Sequence, residues 1–201
     1  MTDKDHNNTA LLGVILAGGN SQRMGGGHKF LLSLCGTRII DHVINSMSPQ
    51  VDTLIVSANH EDLDTPLEVV PDLIKDAGPL GGIYTALMIA KERGYSKIVT
   101  APADTPFIPD DFVSRLYAHS KNPIVVAKSD GQIHPVLALW DTELFDDIEM
   151  ALKNGERKML SLIKKYRPVQ VDWTDERDPF FNINTPQDLD EAEKRLAQAN
   201  F

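Results

Sequence analysis

Only one cysteine, Cys35, occurs in the 201 residues. No intrachain disulfide can form, which excludes a scaffold held by such staples and fits a reducing compartment. Cysteine-based zinc sites fall with it. The six histidines are scattered and neither H-E-x-x-H nor G-x-S-x-G occurs, so metalloprotease and esterase chemistry has no anchor. Cations are also scarce: 20 Lys+Arg face 29 Asp+Glu for a net charge of −9. That balance excludes a dense phosphate backbone as partner, and any bound anion needs a local site. No apolar run approaches the ~20 residues that span a bilayer, and the opening MTDKDHNNTA lacks the apolar core of a signal peptide. These absences predict a cytoplasmic protein that binds neither nucleic acid nor membrane, with residues 1–10 as a flexible N-terminus. What is present is a 42% hydrophobic composition, enough to fill the core of one domain.

The apolar pattern alternates between two periods. Val14, Ile15 and Leu16 form a short run stopped by Gly18 and Gly19, the mark of a buried strand. Ile39, Ile40, Val43, Ile44 and Met47 then recur at helical spacing, ending near Pro49. DTLIVSAN and LEVV read as strands, GGIYTALMIAKERG as a helix, KIVTAPAD as a strand, and PDDFVSRLYAHS as a helix with Pro109 in its first turn. This order predicts an α/β fold, a mostly parallel Rossmann-like sheet flanked by helices, with ligands outside the carboxyl ends of its strands. From residue 122 the texture changes. PIVVAK and HPVLALW flank SDGQI, whose Asp130-Gly131 predicts a tight antiparallel turn. Two helical stretches, TELFDDIEMALKNG and RKMLSLIKKYR, precede a short strand PVQVDW. The last helix carries Thr185 as N-cap, Pro186 at its first position and Asp188 three residues after the cap. The expected organisation is one domain over 11–201, with a nucleotide-binding lobe at 11–121 and a smaller acceptor-binding lobe at 122–201.

Residues 12–30, LGVILAGGNSQRMGGGHKF, set five glycines after the first strand beside Arg23 and Lys29. Glycine lets backbone N–H groups approach a ligand closely and cations favour an anion, so the stretch reads as a phosphate cradle. It is not a P-loop, and Phe30 stands where G-x-G-x-x-G would need its third glycine after Gly25 and Gly27. It does match L-A-G-G-x-S-x-R-M-G…K of nucleotidylyltransferases, through Leu16, Ala17, Gly18, Gly19, Ser21, Arg23, Met24, Gly25 and Lys29. Further motifs follow in order: GPLGG at 78–82, PADTPFIP at 102–109, HPVLAL at 134–139, NGER at 154–157 and NINTP at 182–186. Over residues 12–192 the chain resembles the molybdenum cofactor guanylyltransferases. That resemblance implies a nucleotidyltransferase fold of the nucleotide-diphospho-sugar transferase type with a small antiparallel extension. It also implies Mg²⁺ as cofactor, GTP and molybdopterin as substrates, pyrophosphate as product, and pterin-delivering or molybdoenzyme-maturation proteins as partners.

The roles divide accordingly. Backbone N–H groups of Leu16, Ala17, Gly18 and Gly19 cradle phosphate and base, while Arg23 and Lys29 neutralise triphosphate charge. Asp104 ends a strand as a hard oxygen ligand for Mg²⁺; with Lys29 and Arg23 it forms the expected catalytic set. By resemblance, Asp72 binds GTP and Pro79, Leu80 and Gly81 lie beside the guanine at a helix start. Asn182 and Asn184 return to the metal or to the second substrate. His134, Arg157 and Lys158 line the pterin phosphate site, although a solvated basic helix end explains the last two equally and His134 reads equally as a histidine bonded beside a strand. Two positions depart from the family: His28 replaces a common Asp before the lysine, and Ser57 replaces a common Asn while keeping a hydroxyl for the nucleotide. The alternatives are a cytidylyl or sugar-phosphate nucleotidyltransferase and a non-catalytic guanine-nucleotide-binding adaptor. LAGG in place of LAAG, together with GPLGG, favours guanine.

Overall fold

The first strand, β1 (Leu11–Leu16), is buried along its whole length, because it is an interior strand of a sheet whose two faces are both covered by helices. Leu12, Val14 and Leu16 enter the core on one face while Leu11 and Ile15 enter the core on the other, the two-residue period of a pleated strand. The computed structural model describes residues 10–18, 28–59, 63–174 and 177–199. The expected flexible N-terminus, apart from Ala10, lies outside the described residues, as do Gly19, Ser21, Arg23, Met24 and Gly25 of the glycine loop.

After that loop a small antiparallel hairpin, β2 (Ser33–Leu34) and β3 (Thr37–Arg38), leads into helix α1 (Ile39–Met47). Strands β4 (Thr53–Ser57) and β5 (Glu68–Val70) precede helix α2 (Pro79–Glu92), strand β6 (Lys97–Pro102) and helix α3 (Phe112–Tyr117). A hairpin of β7 (Ile124–Ser129) and β8 (Gln132–Asp141) is followed by helices α4 (Phe145–Lys153) and α5 (Met159–Lys165), strand β9 (Val169–Trp173) and helix α6 (Pro186–Ala199). Among the described residues, seven strands form one sheet in the order β5-β4-β1-β6-β8-β7-β9. The pairs among β5, β4, β1 and β6 are parallel, as is β7 with β9, and β8 alone runs antiparallel to both its neighbours. The α/β expectation with an antiparallel extension is met, and the extension joins the same sheet through β8. The expected lobe boundary at 121 falls between α3 and β7.

Helices α1 and α3 pack on one face through Val43, Met47, Phe112 and Leu116; α2, α4 and α5 pack on the other through Ile83, Leu87, Ile148 and Leu162. Helix α6 packs separately, setting Ala192 against Leu34 and Ile39. No helix among the described residues is long and apolar enough to cross a membrane. One expectation is corrected: α3 begins at Phe112, and Pro109 precedes it. The Pro109 carbonyl accepts from Phe112 N at 3.1 Å and Gln50 Oε1 from Val113 N at 3.0 Å, so a turn and a distant side chain satisfy donors that an earlier helical turn would have used.

Two local features shape the sheet edge. Asp130 (φ 48°) and Gly131 (φ 75°) are both left-handed, which permits the two-residue turn that fixes the β7–β8 register. Farther along, consecutive Val126 and Ala127 pair with Ala138 and His134, leaving Pro135, Val136 and Leu137 as a bulge. Proline has no N–H to lose there. Buried Thr100 donates to the Val136 carbonyl at 2.6 Å and accepts from Trp140 Nε1 at 3.0 Å, so the displaced backbone keeps a partner.

Candidate active site

Because β4, β1 and β6 are parallel, Ser57, Leu16 and Pro102 finish at one edge of the sheet. A cavity of about 400 Å³ runs along that edge. Its walls follow strand order: Ser57 and Asp72 at one end, then Leu16 to Gly18, then Pro102 to Asp104, and His134 to Leu137 at the other end. Gly78, Pro79 and Gly82 close one side, and Lys29, Phe30 and Asn182 also face in.

At the first end Asp72 is held by its neighbours. Ser57 Oγ donates to Asp72 Oδ1 at 2.6 Å, Asn59 Nδ2 donates to Oδ2 at 3.1 Å, and Asp72 N donates to Asn59 Oδ1 at 2.9 Å. The hydroxyl expected to serve a nucleotide directly instead orients this carboxylate. Helix α2 starts without a side-chain cap at Gly78 (φ 58°), but Pro79 has no N–H and Gly81 N donates to the Gly78 carbonyl at 3.0 Å, so this helix start offers a ligand close approach more than free donors. A Cβ on Gly82 would lie 2.7 Å from Leu16 Cδ2 and 2.8 Å from Ser57 Oγ, whereas one on Gly81 would meet the Ile74 carbonyl at 2.8 Å. Gly82 therefore belongs to the cavity wall, while Gly81 is needed for packing behind it and Leu80 is fully buried in the core.

Midway along the cavity, Lys29 Nζ forms an ion pair with Asp104 Oδ2 and donates to Asn184 Oδ1 at 2.6 Å. Both charged side chains are mostly buried, at 18% and 15% exposure. Asp104 is pinned from two directions: Ala103 N donates to the Leu16 carbonyl at 3.1 Å, and Ile183 N donates to the Asp104 carbonyl at 3.0 Å. Its Oδ1 is buried without a hydrogen-bond partner among the described residues. A buried, unpaired carboxylate oxygen is costly unless a donor or cation meets it, and it fits a hard cation. Asn182 Oδ1 accepts from Thr105 Oγ1. Asn184 is steadied by the helix that follows, since Asp188 Oδ2 accepts from the N–H groups of Asn184 and Thr185 at 2.9 and 2.8 Å while Thr185 Oγ1 accepts from Asp188 N at 3.1 Å.

At the far end, His134 Nε2 lies 2.7 Å from Ser129 Oγ, which donates to Asp178 Oδ1 at 2.6 Å. Burial pushes the imidazole below its ordinary pKa, against the opposing pull of Asp178 and Asp130. Arg157 and Lys158, expected in this region, sit instead at the α4–α5 junction. Arg157 Nη1 donates to the carbonyls of Leu152 and Glu156 at 3.0 and 2.8 Å, and the N–H groups of Arg157 and Lys158 donate to Glu156 Oε1 at 3.1 and 2.9 Å. The bland reading of a helix end accounts for this pair. His28 stacks on Phe30 with ring centroids 5.4 Å apart.

Sequence reasoning missed Phe30, Asn59, Gly78, Gly82 and Pro135 to Leu137. Gly78 and Gly82 belong to the GPLGG motif and Pro135 to Leu137 to HPVLAL, but only the helix phase and the bulge distinguish them from their neighbours. Ser129 and Asp178 carried no sequence signal.

A mainly parallel sheet with glycines, a lysine and a strand-end aspartate along its carboxyl edge defines a nucleotidyltransferase, and the model of the MobA-like NTP transferase domain matches residues 13–170. The chain is 38% identical to a molybdenum cofactor guanylyltransferase of Bradyrhizobium sp. (strain ORS 278), over 94% of each chain. It is 40% identical to one from Nitrobacter hamburgensis, over 92% of this chain and 94% of that one. The chain belongs to the molybdenum cofactor guanylyltransferase family. A solved structure of molybdopterin-guanine dinucleotide biosynthesis protein A from Archaeoglobus fulgidus superposes with a TM-score of 0.74 at 29% identity, covering 94% of this chain and 99% of that one.

Proposed function

We propose that the protein transfers GMP from GTP to the terminal phosphate of molybdopterin, giving molybdopterin guanine dinucleotide and pyrophosphate. The observation that carries this reading is the order of groups along one cavity: a nucleotide wall of Leu16 to Gly18, Asp72, Pro79 and Gly82, then Lys29 with Asp104, then an acceptor end at His134 to Leu137. Two substrates laid end to end would meet at the charged pair. An oxygen of the acceptor phosphate forms the new bond to the α-phosphorus as the bond to the bridging oxygen of pyrophosphate breaks. The attacking phosphate is already anionic, so no protein nucleophile is needed, and the chain supplies position and charge. Lys29, with Arg23 from the glycine loop, neutralises charge moving onto pyrophosphate. Ala17 N already donates to the Ser57 carbonyl at 2.8 Å and Leu16 is paired within the sheet, so backbone donors for the triphosphate would come from the glycines that follow them.

Asp104 would hold Mg²⁺ through its unpartnered oxygen. Among the described residues no three His, Cys, Asp or Glu side chains converge on a metal position, so remaining ligands would come from substrate oxygens and water, the usual Mg²⁺ regime. When bound, the ion screens triphosphate charge as a Lewis acid. The exposed, unpaired Cys35 is compatible with the cytoplasm, where we place the reaction.

Incubation with GTP, CTP, ATP or UTP, each with Mg²⁺ and molybdopterin, tests the reading. Pyrophosphate is expected with GTP alone. Release with CTP would instead make it a cytidylyl enzyme, release with a sugar phosphate as acceptor would change the substrate class, and GTP binding without turnover would make it an adaptor.

A further inference from the structure

The acceptor end of the cavity contains a hydrogen-bond relay with only one consistent direction. Ser129 closes β7 and is 2% exposed. Its register partner is Gln132, while His134 pairs with Ala127, so Ser129 and His134 are diagonal neighbours on one face of the hairpin. A serine hydroxyl has a single proton, and a carboxylate has none to offer. Ser129 Oγ gives its proton to Asp178 Oδ1 at 2.6 Å, so across the 2.7 Å to His134 Nε2 it must accept. Nε2 therefore carries the imidazole proton. In a neutral ring Nδ1 is then a bare lone pair, an acceptor only.

The relay is anchored at its far end. Asp178 Oδ1 also accepts from Phe180 N at 2.9 Å, and Arg195 Nη1 donates to the Asp178 carbonyl at 3.1 Å. The Phe180 ring, with its centroid 5.1 Å from that of the imidazole, restricts the ring further. Burial favours the neutral form.

We propose that Ser129 and Asp178 are positioning residues that lock His134 as its Nε2–H tautomer, so that Nδ1 accepts an N–H donor from the heterocycle of the acceptor substrate and selects for it. This rests on the proposed guanylyl transfer, with a pterin as acceptor. A pterin presents ring and amino N–H donors. A histidine free to carry its proton on either nitrogen would offer a donor or an acceptor indifferently, and a locked one rejects a heterocycle with the opposite pattern.

The test uses the full-length ¹⁵N-labelled protein. Imidazole NMR of the free wild type is expected to show protonated Nε2 and bare Nδ1, and added molybdopterin should shift the Nδ1 resonance. Ser129→Ala should mix the tautomers and raise KM for molybdopterin about tenfold, the scale of one lost hydrogen bond, with kcat and KM for GTP within about twofold. Ser129→Thr should restore both readouts. Asp178→Asn keeps an oxygen that accepts from both Ser129 and Phe180 N, so it should retain the Nε2–H tautomer, whereas Asp178→Ala should mix the tautomers and weaken molybdopterin in parallel. A proton on Nδ1 in the wild type, an Nδ1 resonance indifferent to molybdopterin, or a KM rise shared with GTP would each overturn the assignment. The tautomer of the free wild type needs neither turnover nor a stable variant, so its failure is separable from failure of the guanylyl-transfer reading.

Discussion

Lys29 is held on two sides, by the Asp104 carboxylate and by Asn184 Oδ1 at 2.6 Å. A triphosphate would compete for the ammonium and a cation for the carboxylate, so both groups exchange partners on binding. Asp104→Asn removes the anionic oxygen that a hard cation needs. Pyrophosphate release is expected to fall to background at every Mg²⁺ concentration while GTP still binds weakly; wild-type rate at limiting Mg²⁺ would overturn the metal role. Lys29→Ala removes a charge that matters most as pyrophosphate departs, so kcat should fall about a hundredfold, on the order of 3 kcal/mol. An unchanged kcat with raised KM would show uniform binding instead. Both residues were legible in the sequence because each ends a motif with its own chemistry. Their mutual pairing, and the part played by Asn184, were not, because Lys29, Asp104 and Asn184 meet only through the tertiary fold.

Helix starts carry two further expectations. In α6, burial works to raise the Asp188 pKa, but hydrogen bonds from the Asn184 N–H and from Thr185, with Lys29 nearby, hold it below the ordinary value of 3.8. A carboxyl with a depressed folded pKa contributes stability above its unfolded pKa and loses it as pH falls through the folded one. Asp188→Asn should therefore lower the urea midpoint at pH 7, and the difference from wild type should shrink below about pH 4; Thr185→Ala should cost about 1 kcal/mol. This cap was legible because its signal spans four adjacent positions. In α2 the phase decides the outcome. Gly82→Ala should raise KM for GTP, since its methyl would meet Leu16 and Ser57, whereas Gly81→Ala should lower the melting temperature, since its methyl would meet a backbone carbonyl. Composition cannot separate two adjacent glycines; the rotation of about 100° between them does.

The alternation of short apolar runs with helical periods foretold the parallel half of the sheet, because those periods are local. It did not foretell that β8 would continue that sheet, since strand pairing is a property of distant segments. It also could not show the three-residue interruption of β8 that carries Pro135 to Leu137 into the cavity. The cavity itself is continuous from Ser57 to His134. Continuity has a kinetic meaning. Both substrates must be aboard together, so initial-rate plots should intersect rather than run parallel. The dinucleotide, once made, fills both compartments at once and should inhibit competitively against GTP and against molybdopterin alike. An inhibitor built as a bridged pair would then gain from both ends, whereas either half alone would leave the other half of the trough to solvent.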